Sequence, residues 1–126
     1  MLIKIFDPDF THGDERGVIT QLVHGGYSQV NVVTTVKGAR RGRMHYHLAN
    51  TEAFYVVSGA FDFACRAIDG KTRERYAFKA GDFFSVPPSV GHDFRFTEDT
   101  VLVGLYDLGV DLPDGTRDII EIEAGE

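Results

Sequence analysis

Residues 41 to 52 read "RGRMHYHLANTE", in which His45 and His47 are separated by a single residue and Glu52 follows five residues after the second. A further histidine, His92, ends the segment "GDFFSVPPSVGH" (81–92). Three imidazoles and one carboxylate make a donor set for a divalent ion such as Zn, Fe, Mn, Ni or Co, with positions left for water or substrate. Donors of this kind do not choose among those metals. An imidazole also titrates near neutrality, so the same pair could serve as a proton acceptor. Taken alone, His-x-His is equally compatible with a polar strand whose histidines face solvent. Arg40, Arg41 and Arg43 lie just upstream and form a local basic cluster suited to a phosphate or carboxylate.

These groups must be positioned by strands. Residues two apart on a strand face the same way, which points His45 and His47 into one space and Tyr46 away from it. Glu52 opens the run "EAFYVVSG" (52–59), and the short link "LAN" returns its carboxylate beside the imidazoles. The double proline 87–88 cannot serve a central ladder, so it marks a bend that aims His92. Elsewhere β-type runs succeed one another: "SQVNVVTTV" (28–36), "AFDFACRAI" (60–68), "RERYAFK" (73–79), "FFSVPP" (83–88), "HDFRF" (92–96) and "VLVGLYDL" (101–108). In 60–68, Phe61, Phe63 and Cys65 alternate with Asp62, Ala64 and Arg66, the period of a half-buried strand. "DGK" (69–71) is a hairpin signal, and the polar tail holds a short edge strand at "DIIEIE" (118–123). Short strands at this spacing predict an all-β sandwich or small barrel, a single domain over residues 1–126 with its core at about 28–108.

A chain of 126 residues with 43% hydrophobic and 25% charged residues is of ordinary globular composition. Its formal charge of -6 argues against nucleic acid or an anionic membrane as a general partner. One cysteine excludes an internal disulfide and fits a reducing, cytoplasmic setting. The N-terminus carries no secretory signal pattern, and no apolar stretch approaches the roughly 18 residues of a membrane helix. His12 and His24 read as surface residues, Cys65 as core, and Tyr106 as a candidate phenol acid. Ten phenylalanines point to core or interface, and a homodimer is expected.

The two site segments resemble the cupin motifs. "HYHLANTEAFYVVSG" fits the first, His-x-His, four residues, Glu, six residues, Gly59. "GDFFSVPPSVGH" fits the second, Gly81, five residues, Pro87, then His92, with Ser89 where a glycine is usual and Phe96 where an asparagine often stands. The resemblance implies a double-stranded β-helix, the cupin jelly-roll barrel, with His45, His47, Glu52 and His92 as metal ligands in its mouth. "GDERG" (13–17), "QVNVV" (29–33) and "RGRMHYH" are similar to the sugar-nucleotide cupins. These include dTDP-4-dehydrorhamnose 3,5-epimerases, 4-oxo-6-deoxyglucose 3,4-ketoisomerases and the cupin domain of capsular-polysaccharide reductases. That likeness implies Arg16 as a diphosphate contact, His45 as general base, and Arg41 or Arg43 as further substrate contacts. The chain has two residues between Arg-Gly and His where that group has one, an excess that a bulge would absorb.

Three readings stay open. One is an epimerase or ketoisomerase of a nucleotide-linked 4-keto sugar in polysaccharide or deoxysugar biosynthesis. The second is a metal-dependent dioxygenase or isomerase of small molecules, and the third a non-catalytic ligand-binding protein.

Overall fold

The structure, a computed structural model, describes residues 1–122. It contains twelve strands: β1 (Lys4–Ile5), β2 (Phe10–Asp14), β3 (Gly17–Gln21), β4 (Gln29–Thr35), β5 (Arg40–Tyr46), β6 (Glu52–Ser58), β7 (Ala60–Ala67), β8 (Arg73–Lys79), β9 (Phe83–Val86), β10 (Val90–Phe96), β11 (Thr100–Tyr106) and β12 (Ile120–Glu121). They form two five-stranded sheets, in the orders β1-β9-β6-β11-β4 and β12-β5-β10-β7-β8, and a separate β2–β3 hairpin. Every pairing is antiparallel. This is the all-β jelly roll expected from the strand spacing and the motif resemblance. No helix of the described chain is long and apolar enough to cross a membrane. The edge strand expected at 118–123 is β12; Glu123 lies outside the described residues.

The alternation on β7 appears as predicted: Phe61, Phe63 and Cys65 are each 1% exposed, while Asp62 faces out. Opposite them, Phe54 and Val56 of β6, Phe84 and Val86 of β9 and Leu102 of β11 close the core between the sheets. Phe78 stacks on Phe84 at 4.1 Å between ring centroids, joining the two sheets through aromatic faces. Eight of the ten phenylalanines are buried in this way. They fill the core between the sheets, the first of the two places expected for the aromatic residues. The exposed apolar residues are instead largely aliphatic, among them Val30 and Val32 on the open edge strand β4.

The chain passes between the sheets twice at one end. Residues 47–51 carry it from β5 to β6, and residues 87–89 carry it from β9 to β10. The amide of Ser89 donates to the carbonyl of His47 (2.7 Å), which ties the two crossings together. Ser89 has φ +68, the left-handed conformation that explains why glycine is usual there. The prolines sit in this turn and outside any ladder.

The excess residue upstream of His45 is absorbed by a bulge. His92 pairs with His45 and Phe94 with Arg41, so residues 42–44 stand opposite Asp93 alone. All three bulge residues have positive φ (94, 47 and 59). Only glycine fits at 42, because a Cβ there would lie 2.6 Å from the carbonyl oxygen of His92. The carboxylate of Asp93 replaces the missing ladder bonds: Oδ1 accepts from the Arg43 amide (3.2 Å) and from Arg40 Nε (2.8 Å).

Gly59 and Gly81, the two motif glycines, differ in what they tolerate. Both have positive φ, but a Cβ at Gly59 would collide with the Asp99 carbonyl and Thr100, whereas Gly81 has nothing within 4 Å. Gly81→Ala is expected to cost about 1 kcal/mol and Gly59→Ala about 3 kcal/mol or more. Thermal melts of the two variants side by side check this; equal losses would show that φ alone governs both positions.

Candidate functional site

His45, His47, Glu52 and His92 converge where the two crossings meet, and one ligand atom from each lies within 4.8 Å of all the others. Each arrives by strand phase. His92 continues the inward stripe of Phe96 and Phe94 on β10, and His45 is its direct partner on β5. Glu52 begins β6 in phase with the inward Phe54 and Val56. His47 lies just past the end of β5, held by the crossing. His47, Glu52 and His92 are 2%, 6% and 0% exposed, and only His45 is half-buried.

The three rings are oriented alike. Nδ1–H of His45 donates to the carbonyl of Gly42 (2.7 Å), that of His47 to the carbonyl of Asp118 (2.5 Å), and that of His92 to the carbonyl of Val90 (3.1 Å). A carbonyl can only accept, so each Nδ1 carries the proton and each Nε2 is turned to the common centre. Ring centroids stand 4.5–5.5 Å apart. His47 Nε2 reaches Glu52 Oε1 at 3.1 Å. His92 Nε2 is fully buried, has no hydrogen-bond partner among the described residues, and stops 3.5 Å from the same oxygen. A buried, unsatisfied nitrogen costs on the order of 1–3 kcal/mol. Aimed into a space bounded by three other donors, it fits a divalent ion with three nitrogens and one oxygen.

Charge is shared unevenly. Burial pushes the Glu52 carboxyl up, but the hydrogen bond from His47 and the neighbouring His92 ring more than offset this and hold it down at about 2. Burial lowers His47, yet its bonds to Glu52 and the Asp118 carbonyl raise it above its ordinary value. Burial and the two neighbouring imidazoles lower His45 to about 4. Without metal, these directions favour a His47–Glu52 ion pair flanked by a neutral His45.

Three further residues complete the site. Asp118, 4% exposed, accepts from the amides of Leu48 (2.7 Å), Ala49 (3.0 Å) and Asn50 (3.0 Å) and from Asn50 Nδ2 (2.8 Å). Asn50, wholly buried, also donates to the Gly109 carbonyl and accepts from the amides of Leu108 and Gly109. Together they fix the crossing that carries His47 and Glu52. Tyr106 pairs with Glu52 across β11 and β6, and its ring stands 5.3 Å from that of His47, edge-on. Burial, the Glu52 charge and a hydrogen bond to Glu52 push its phenol well above the usual range, so it stays protonated as a donor. The Tyr106 phenol was legible in sequence as a candidate; Asp118 and Asn50 carried no local signal.

The sequence-derived arginines are placed differently. Arg16, at the tip of the β2–β3 hairpin, is 83% exposed and makes a bidentate pair with Asp14. Arg41 bonds Thr35 Oγ1 (2.8 Å) and the Thr34 carbonyl, joining β5 to β4 of the other sheet. Arg43 is exposed on the bulge, two residues from His45. His12 is exposed, and His24 pairs with Asp9 (2.8 Å). Cys65 is buried opposite His92, and burial together with the charge of Glu74 pushes its thiol up to about 11, which leaves it an inert core residue.

Residues 31–106 match the family model described as the cupin domain. No curated protein sequence matches the chain. Among solved structures, WlaRA, a TDP-fucose-3,4-ketoisomerase from Campylobacter jejuni, aligns with a TM-score of 0.74 at 15% identity, over 95% of this chain and 89% of that one. The sugar 3,4-ketoisomerase QdtA from Thermoanaerobacterium thermosaccharolyticum, solved with TDP, gives 0.73 at 17% identity over 84% and 80%. CapF, solved with the inhibitor 3-isopropenyl-tropolone, gives 0.67 at 22% identity over 91% of this chain and 34% of its own. At these identities the likeness is one of fold.

Asp118→Ala should loosen the crossing, lowering stability by about 3 kcal/mol through the loss of charge-assisted bonds. Burial raises the Asp118 carboxyl, but the bonds from Asn50 and the three amides win and hold it below its ordinary value. Its contribution is thus present above about pH 4 and fades as pH falls below that; melts of wild type and variant from pH 7 to 3 should converge at the acid end. Metal uptake carries the opposite sign for His47, whose proton must leave Nε2. Divalent-ion affinity should rise with pH up to the raised His47 value, with about one proton released per ion. Titration in weakly buffered solution measures it; uptake without proton release would refute the ion pair.

Proposed function

The chain belongs to the cupin family, and from that premise we propose that it is a metal-binding isomerase or epimerase of a nucleotide-linked 4-keto sugar, working by histidine-assisted proton transfer. The observation that carries the metal assignment is the orphaned Nε2 of His92, aimed at the same point as His45, His47 and Glu52. When bound, a divalent ion supplies Lewis-acid polarisation of a carbonyl oxygen. The substrate class is supported by the fold neighbours that bear TDP-sugar names.

His45 is the group we assign to proton transfer, because it is the one member of the cluster that is not fully buried. Its Nδ1–H is fixed on Gly42, so Nε2 is the atom that takes the proton from the carbon next to the ketone. The C–H electron pair moves into a carbon–carbon double bond and the carbonyl pair onto oxygen. Returning the proton to the opposite face gives an epimer; proton shifts within the enediol carry the carbonyl to the neighbouring carbon. No oxidant is consumed. Tyr106 stands opposite Glu52 with its phenol kept protonated, and the core beneath His92 keeps water from the floor. Arg43 is the arginine nearest the cluster in sequence and is the one we assign to the anionic part of the substrate; Arg16 and Arg41 hold Asp14 and Thr35 within the chain.

The completeness of the donor set favours a second reading, in which His45 is a fourth ligand and the reaction is a metal-dependent oxidation or isomerisation of a small acid. The two diverge in a simple comparison. Protein purified without an affinity tag should contain about one divalent ion per chain by elemental analysis, and dTDP or UDP should raise its melting temperature. His45→Ala should then keep most of its metal and lose turnover of a dTDP-4-keto-6-deoxy sugar, while His92→Ala loses both. Absence of stabilisation by any nucleotide, with stabilisation by simple carboxylates, would overturn the sugar reading.

A further inference from the structure

The outer face of the sheet that carries the histidines has a composition the site does not use. Alternation that sends Phe61, Phe63, Phe94 and His92 inward sends Asp62, Ala64, Asp93 and Arg95 outward, and places Arg73, Arg75 and Ala77 of β8 beside them. Reading across the sheet, Arg40 faces Arg95, Arg95 faces Asp62, and Asp62 faces Ala77; in the next row Asp93, Ala64 and Arg75 are neighbours. Long side chains thus stand on β5 and β10 on one side and on β8 on the other, with Ala64 of β7 low between them and Ala77 leaving a gap in the β8 bank. The result is a trough of about 590 Å³, lined by Arg40, Arg73, Arg75 and Arg95 together with Asp62 and Asp93. That size lies within the range of small-ligand sites.

Its charge is not balanced. Asp93 is shared by Arg40 (2.8 Å) and Arg95 (3.6 Å), and it is almost fully buried beneath them. Arg73 and Arg75 are exposed, and among the described residues neither has an acidic partner. Among the described lining residues four arginines stand against two aspartates, on a chain whose net charge is -6. β10 and β8 are two strand spacings apart, roughly 10 Å, so guanidinium groups from the two banks can close on one compact ligand. Guanidinium forks match the paired oxygens of phosphate and carboxylate, and a planar, weakly hydrated cation holds them better than an ammonium would.

We propose that this trough is a second ligand site, on the opposite face of the sheet from the histidine cluster, for a small anion carrying two or more charges of the phosphate type. The expected occupant spans the banks, engaging Arg73 and Arg75 on one side and Arg95 on the other. The inference does not depend on the reaction proposed above, because no residue of the trough belongs to the cluster.

Inorganic pyrophosphate is the probe, titrated calorimetrically into the full-length protein at low salt. Wild type should bind it, with affinity falling as salt is raised. The Arg73→Gln/Arg75→Gln double variant should lose at least tenfold in affinity while its melting temperature and metal content stay unchanged. Ala77→Glu, at an exposed position, places a carboxylate in the trough and should give a similar loss without touching an arginine. An unchanged affinity in both variants would overturn the proposal. So would loss of pyrophosphate binding in His47→Ala alone, which would move the anion to the histidine cluster, or binding of a long polyanion such as heparin with none of pyrophosphate, which would point to a macromolecular partner. Nucleotide stabilisation that survives in the double variant separates this site from the substrate site proposed above.

Discussion

The carboxylate of Asp118 is the interaction on which the site depends. It gathers three consecutive amides and one side-chain amide of residues 48–50, the stretch that carries the chain from one sheet to the other. A crossing of this kind leaves buried backbone donors with no ladder to join, and leaving several unpaired would cost more than the fold could spare. Asp118 satisfies them together, and its own carbonyl takes the Nδ1 proton of His47. One residue near the end of the described chain therefore sets both the path of the link and the direction in which a ligand ring points. Glu52 follows directly, since it begins the strand that the link delivers.

On the other arm the same task is performed by a bulge. Arg43 and Met44 adopt left-handed backbone conformations that cost non-glycine residues on the order of 1 kcal/mol each, and they hold them because Asp93 fills the opening they make. Strain there is the means by which His45 is brought level with His92 in spite of the extra length upstream. The two histidine arms are thus fixed by two different acids, neither of which belongs to the quartet.

The sequence made much of this legible. Alternation on 60–68, the turn at 69–71 and the β-branched runs located strands closely, because those signals are local and reflect one buried face. The quartet was legible because its members sit at fixed spacings within two short segments. The bulge could be anticipated from a one-residue excess, though not the fact that three residues would share it. Asp118 and Asn50 could not be found: they meet across 68 residues of sequence, and an acid in a polar tail looks like any other. Arg16 and Arg41 carry more than the sequence suggested. Anion binding was expected of Arg16 from the family likeness and of Arg41 from the basic cluster, and the structure adds intrachain partners for them, Asp14 two residues away and Thr35 on the facing sheet. Residue type proposes a role, and the tertiary neighbours decide it.

Three of the four donors are sealed between the sheets, while His45 alone is partly open and hangs on the strained segment 42–44. Phe63 and Cys65 close the floor beneath His92, and among the four donors His45 is the one with solvent exposure. An ion of the kind proposed above would be gripped by the sealed trio and exchanged through the His45 arm.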